Sequence, residues 1–339
     1  MNKTSPTIYE VARRAGVSIA TVSRVQRGNS VVTQATRDRV LRAIEELGYQ
    51  PSHLARSLAE GRFAATAVVF PDLSGPYYSE VILGYEQEVA SAGQSVLIMS
   101  THGQAASPQL VRELARKVDG MLLFSRTVPD EIVEQLVADQ TPVVLLARPP
   151  VADADTIRSE NHESAIRLTQ HILGHGQRRI AFIGDPDSSP DAAERWAGFV
   201  EAHRRAGLPL PASPVRSSFL EAEGYAAAAF VLDGPEPPMA LVCANDEIAL
   251  GAYAAAQERN LQIPDDLAVT GWDDIPMARY LLPGLTTVHQ PMRNLGANAA
   301  RALLERIRGE RRAPIHLVLP TRLVLRASCG CGTNGGRES

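Results

Sequence analysis

The sequence predicts a small all-α helix-turn-helix head followed by an α/β core of two lobes. Three observations carry this reading. The first 62 residues hold ten Lys and Arg against five Asp and Glu, whereas the rest of the chain holds 24 against 33. The first fifty residues show short helical periods separated by glycine and by capping Ser and Thr. From Ala64 on, short apolar runs alternate with helical patterns, as in a sheet covered on both faces.

Composition narrows the class. A chain of 339 residues suggests two or three domains at roughly 100–200 residues each. An apolar fraction of 45% is ample for real cores. No uncharged apolar run approaches the ~18 residues of a membrane span, and the polar, basic start "MNKTSPTIYEVARRAG" predicts no secretion signal. The cysteines, Cys243, Cys329 and Cys331, are too few for a disulfide framework and fit a reducing cytoplasm. A positive head on a negative body predicts a polyanionic partner for the head, a basic surface helix being the alternative.

The head resolves into three helices. Thr7 and Glu10 form a capping box, and Ile8, Val11, Ala12 and Ala15 share one face behind them. Gly16 turns the chain, with positive φ expected. Ser18 then caps a second helix whose Thr21, Val22 and Val25 can face inward. Gly28 and Asn29 break that helix. Thr33 caps a third, with Val40, Ile44 and Leu47 at helical spacing and Gly48 as its C-cap. Two short helices joined by a tight turn and braced by a third make helix-turn-helix geometry, a small helical cap being the alternative. After Pro51, the residues Leu54, Ala55, Leu58 and Ala59 give a short helix one apolar side. At this length it is marginal alone and needs DNA or a second copy as partner; a plain linker is the alternative.

In the core, "TAVVFP", "SVLIMS", "DGMLLFS" and "PVVLLA" read as buried parallel strands, with helices starting near Tyr77, Ser107 and Pro129. A second series follows: "RIAFIGD", "SPVRSS", "MALVCAND" and "DLAVTGWDD", with helices near Asn161, Pro190, Glu221, Glu247 and Arg293. Ligands of such sheets bind beyond the carboxyl ends of the strands. That rule selects "PDLSGPYY", "SRTVPDE", "GDPDSSPDAAER", "ANDEIALG" and "GWDDIP", whose acids, amides, arginines and flat rings suit a polyhydroxylated ligand. Ordinary strand-end capping is the alternative for any one of these loops.

The stretch "TIYEVARRAGVSIATVSRVQRG…LGYQPSHLARSLAEG" resembles the lactose and purine repressor family of bacterial transcription regulators, and the resemblance runs over nearly the whole chain. It implies a helix-turn-helix head over residues 1–50, a hinge helix and linker over 51–62, a periplasmic-binding-protein-like effector and dimerisation core over 63–330, and a flexible tail over 331–339. The first lobe would take residues 63–158 and 291–318, the second 162–289 and 320–330. Residues 18–26 would be a recognition helix in the major groove. Ile19 and Ala20 match base-reading positions, and being apolar they could meet only a thymine methyl or the groove contour. Arg24 matches a base-contacting arginine suited to guanine, a phosphate clamp being its alternative role. Thr7, Ser18, Thr21, Ser23 and Thr36 carry hydroxyls suited to phosphate, and Tyr9 and Tyr49 would add similar contacts. Leu58 matches a leucine that wedges between central base pairs, with Ala55 close to the groove wall.

For the core, the resemblance implies Tyr77, Tyr78, Arg195, Asn245, Trp272 and Asp273 at the effector. "PVVLLARPP" departs from the family by offering Ala147 where many relatives have aspartate. Arg148 follows, which raises an acidic or phosphorylated ligand as an option unless that arginine only braces the lobes. The expected protein is a cytoplasmic homodimer, a repressor of carbohydrate or related catabolic genes, on a pseudopalindromic double-stranded operator. Its effector would be a sugar, sugar acid or sugar phosphate. No cofactor, membrane or catalytic residue is expected. The alternatives are a sugar-binding receptor without transcriptional output and a carbohydrate-converting enzyme. His171 and His175 stand at i, i+4 without an HExxH, and Cys329 and Cys331 form a lone CxC lacking two further ligands, so no metal site is expected.

Overall fold

The computed structural model describes residues 6–26, 32–49, 63–209 and 213–331. The expected hinge helix, with Ala55 and Leu58, lies outside them, as does the tail from 332 on. Two compact units divide the chain after Ala64.

The head contains α1 (Ile8–Ala15), α2 (Ile19–Gln26) and α3 (Gln34–Leu47). The Thr7 N–H donates to the Glu10 carboxylate at 2.7 Å, which fixes the start of α1. Gly16 takes φ 65° at its end, a conformation that costs a side-chain-bearing residue more. Ser18 Oγ accepts the Thr21 N–H at 3.2 Å and caps α2. Val11, Ala12, Ala15, Val22, Val25, Val40 and Ala43 form the head's core. At the end of α3, Gly48 is left-handed and the Tyr49 N–H returns to Ile44 O at 3.0 Å. This Schellman turn folds Tyr49 back onto the helix. Tyr49 is accordingly a core residue of the head, 8% exposed, and the expectation that it stands on the DNA surface is corrected.

The core begins with β1 (Ala65–Phe70), α4 (Pro76–Ser91), β2 (Ser95–Ser100), α5 (Ser107–Ala115), β3 (Gly120–Phe124), α6 (Asp130–Ala138), β4 (Val143–Leu146) and β5 (Asp155–Ser159). The chain continues through α7 (His162–Gly174), β6 (Ile180–Ile183), α8 (Pro190–Arg205), α9 (Glu221–Leu232), β7 (Ala240–Cys243), α10 (Asp246–Glu258), β8 (Ala268–Thr270) and β9 (Thr287–His289). It ends with α11 (Met292–Arg308), β10 (His316–Leu319) and β11 (Arg322–Val324). The first sheet is parallel in the order β10-β5-β4-β3-β1-β2, and the second in the order β6-β7-β8. An antiparallel ribbon of β9 and β11 joins the second sheet through bridges such as Asp273 to His289. The chain therefore passes between the lobes three times, near residues 160, 290 and 320.

"SPVRSS" makes a single bridge among the described residues, Val215 to Ile183, the Val215 N–H donating to Phe182 O at 2.8 Å and its carbonyl accepting the Gly184 N–H at 2.9 Å. Conversely, β5 is a buried strand without an apolar run. Its Asp155 is fully buried and accepts Arg311 Nη1 and Nη2 at 2.8 and 2.7 Å and the Ile315 N–H at 2.8 Å. Burial alone would raise this carboxyl, but the bonds from Arg311 and Arg306 outweigh it and hold it below its usual range.

Helices α4 and α11 meet backbone to backbone. A Cβ on Gly84 would lie 2.0 Å from Arg293 O, and one on Gly296 2.0 Å from Val81 O. The Gly296→Val variant should lose roughly 3 kcal/mol or more of stability, because a rigid backbone cannot yield to the added atoms. A urea midpoint equal to that of the wild type would contradict this packing.

Candidate functional site

The head presents one accessible face of α2. Ser18, Ile19, Ala20 and Arg24 are exposed, and Thr21 and Ser23 are half-buried. Val22 and Val25, on the opposite face, anchor the helix in the core. Thr7 and Tyr9 are exposed on α1 and its cap, and Thr36 is half-buried at the start of α3. Ile19 is 39% exposed at the helix start, where the free N–H groups also point outward.

The second site is a cleft between the two lobes of the core. It holds about 500 Å³ of space, its mouth included. One wall carries Tyr77 and Tyr78 at the start of α4, Phe124 at the end of β3 with Ser125 and Arg126 after it, and Ala147 after β4. The other carries Ser189 at the cap of α8, Asp191 and Arg195 within that helix, Phe219 just before α9, Asn245 and Glu247 after β7, and Asp273 after β8, with Gln290 at a crossing between lobes. These are carboxyl ends of strands in both sheets, the place where open α/β sheets bind ligands.

Arg195 organises the second wall. It donates to Asn161 Oδ1 at 2.9 Å and to Ala244 O at 2.6 Å, and its guanidinium lies 4.5 Å over the Trp272 ring. Asp191 stands one helical turn earlier, 3.9 Å away. Asp273 Oδ1 accepts Gln290 Nε2 at 2.5 Å. Asn245 caps α10 through the Ile248 N–H and donates to Phe219 O. Burial pushes the Asp273 carboxyl up to about 7, against the opposing pull of Arg195 and Gln290. Burial likewise raises Asp191 and Glu247. Tyr77 Oη and Gln290 Oε1 are buried without a protein partner, so a hydroxyl-bearing ligand would satisfy both. Three wall residues, Arg126, Ala147 and Asp273, hold positive φ of 63°, 55° and 115°. Non-glycine residues persist there only when their surroundings fix them, and such residues cluster at ligand sites.

Of the seven residues expected at the ligand, the cleft gathers Tyr77, Tyr78, Arg195, Asn245 and Asp273. Two are corrected. Arg148 points away, donating to Val128 O at 2.9 Å and pairing with Asp130, so it braces the first lobe. Trp272 is 1% exposed beneath Arg195 and serves as its platform. Asp191, Glu247, Gln290, Arg126 and Phe219 line the cleft without having been singled out. All but Phe219 and Gln290 fall within the strand-end loops selected by the position rule.

Residues 7–52 match the profile of the bacterial regulatory proteins of the lacI family, and residues 169–329 that of a periplasmic binding protein-like domain. The chain is 32% identical over 330 residues to the HTH-type transcriptional repressor CytR of Escherichia coli, covering 96% of this chain and 97% of that one. It is 34% identical over 328 residues to catabolite control protein A of Priestia megaterium, covering 95% and 98%. Among solved structures, the CelR–cellobiose complex aligns with a TM-score of 0.73 at 32% identity over 95% of this chain and 99% of that one. The lac repressor dimer bound to operator and the anti-inducer ONPF aligns with a TM-score of 0.85 at 27% identity over 96% and 99%.

A ligand hydroxyl donating to Asp273 binds its charged form, so binding should lower this pKa and release a proton. Affinity for a neutral polyol should therefore rise with pH up to about 7 and level off above it. In Asp273→Asn the profile should be flat. Calorimetry across that range checks this, and affinity in the parent protein that falls with rising pH would contradict the assignment.

Proposed function

We infer how this protein acts from one premise: it belongs to the lacI family of bacterial regulatory proteins. It is an effector-responsive, sequence-specific DNA-binding transcriptional regulator. We propose that it represses carbohydrate-related genes as a homodimer on a pseudopalindromic operator. The observation that carries this reading is one chain holding both the Arg24 face of α2 and the acid-lined cleft.

On this reading each head lays α2 in the major groove. Arg24 forks onto guanine O6 and N7, while Ile19 and Ala20 meet thymine methyls. Thr7, Tyr9, Ser18, Thr21, Ser23 and Thr36 contact phosphates and set the register. Ala55 and Leu58 enter the minor groove at the centre of the operator, the leucine as the wedge. An apolar edge supports the dimer: edge strand β2 exposes Leu97 and Ile98, 39% and 48%, and an uncovered edge of this kind is an aggregation hazard.

The effector is proposed to be a neutral sugar. The cleft walls carry three acids, Asp191, Glu247 and Asp273, against two arginines, Arg126 and Arg195. Arg195 is already engaged by protein acceptors. With Arg148 outside the cleft, the main reason to favour an acidic or phosphorylated ligand falls away. Tyr77, Tyr78 and Phe219 offer flat faces for the CH side of a sugar ring. Ligand bound to both lobes favours one lobe arrangement over another and so biases the hinge helices.

The testing experiment is operator binding by the full chain at two salt concentrations, with and without sugars that raise its melting temperature. Salt-sensitive binding altered by such a sugar is expected. Absence of salt-sensitive binding overturns the proposal. Arg24→Ala should cut the preference for operator over random DNA roughly tenfold or more, since a bidentate guanine contact is worth about 1–3 kcal/mol. A uniform loss on all DNA would make Arg24 a phosphate clamp. Leu58→Ala should weaken operator binding while leaving sugar affinity unchanged.

A further inference from the structure

Two sequence features far apart in the chain meet at the end of the second lobe remote from the cleft. His171 and His175 stand one turn apart on α7. Cys329 ends a 3-10 turn, Gly330 reverses the chain at φ 96°, and Cys331 follows. Their four ligand atoms all lie within 4.8 Å of one another. His171 Nε2 is 3.2 Å from His175 Nε2, 3.3 Å from Cys329 Sγ and 3.3 Å from Cys331 Sγ, and Cys331 Sγ is 3.5 Å from His175 Nε2.

We propose that His171, His175, Cys329 and Cys331 bind one Zn²⁺ in a closed tetrahedral site. Zinc with Zn–S of about 2.3 Å and Zn–N of about 2.0–2.1 Å sets tetrahedral edges of about 3.3 Å between nitrogens and about 3.5 Å between nitrogen and sulfur. The four distances given above, from 3.2 to 3.5 Å, match these values. Two thiolates and two neutral imidazoles balance the charge of the cation, so binding expels the two thiol protons to solvent. A tetrahedral set of two sulfurs and two nitrogens selects a soft divalent ion over Mg²⁺ or Ca²⁺. Hydrogen bonding alone serves these groups poorly. Thiols are weak donors and acceptors, and two imidazoles meeting through the same nitrogen share only one proton.

The surroundings suit a structural clasp. Cys329 is buried against Ile172, Ala240 and Ala268, the last two being the first residues of β7 and β8. The Thr286 hydroxyl donates to Cys329 Sγ at 3.1 Å, the kind of outer-shell bond that orients a thiolate ligand. The expectation of no metal rested on the CxC lacking two further ligands; α7 supplies them from 156 to 160 residues earlier. Cys331, expected to open a flexible tail, would instead pin the end of the core to α7.

The test uses the full chain, purified under reducing conditions, stripped with chelator and given Co²⁺ or Zn²⁺. The expected result is one ion per chain, with the intense visible bands of tetrahedral Co²⁺ and a thiolate-to-cobalt charge-transfer band. Zn²⁺ should displace the cobalt and raise the unfolding temperature. His175→Ala and Cys331→Ser alter exposed or half-exposed side chains, so both should fold, as checked by circular dichroism, and both should lose the charge-transfer pattern and the thermal shift. Weak octahedral cobalt bands overturn the proposal. So does the absence of metal from a protein whose cluster thiols titrate as free, or equal loading in folded variants.

Discussion

The chain crosses between the two lobes three times, and those crossings lie beside the cleft; the rest of the core depends on this constraint. At the first crossing the Glu160 N–H bonds Leu319 O of the third at 2.8 Å, and the Thr321 hydroxyl returns to Glu160 O at 2.9 Å. Asn161, also at the first crossing, accepts Arg195. Gln290, at the second, donates to Asp273. Two ionisable side chains of the cleft wall, Arg195 and Asp273, are thus hydrogen-bonded directly to the segments that connect the lobes. A ligand that draws on Asp273 or Arg195 would compete with these bonds to the connecting segments.

The cleft's chemistry follows from burial. Burial raises all three acids above their usual range, while Arg195, Arg158 and the amides of Asn161 and Gln290 pull the two aspartates the other way. A neutral ligand rich in hydroxyls resolves the conflict by donating to the carboxylates and filling the orphaned Tyr77 and Gln290 atoms. Backbone strain at Arg126, Ala147 and Asp273 has the same character, being a local cost borne by the surrounding packing.

Much of this was legible in the sequence wherever a local rule and a tertiary demand coincide. Gly16, Ser18 and Gly48 mark turns and caps that the backbone requires, and every head helix starts where its capping residue predicts. The apolar runs of β1, β3 and β4 are visible because parallel strands are buried on both faces. Strand β5 was not, since its buried acid is tolerated only because Arg306 and Arg311 arrive from 151 to 156 residues later. Tyr49 and Trp272 misled for a related reason: an aromatic beside a functional motif reads as a contact, yet each is consumed by packing. Arg148 was placed in the cleft by its neighbour Ala147, but its own direction is fixed by Val128 and Asp130. The His–Cys cluster was present only as two weak fragments, and no spacing rule joins residues so far apart in sequence.

The central claim is that the cleft and the head share one equilibrium, so that a sugar and an operator each change the other's affinity. Linkage makes this reciprocal: if sugar alters operator affinity by some factor, operator must alter sugar affinity by the same factor. The most direct measurement titrates the full chain with one sugar, with and without saturating operator, and with operator, with and without saturating sugar. Equal factors different from one are predicted, reduced to one in Asp273→Ala. A sugar that binds the cleft equally well with and without operator would contradict the account.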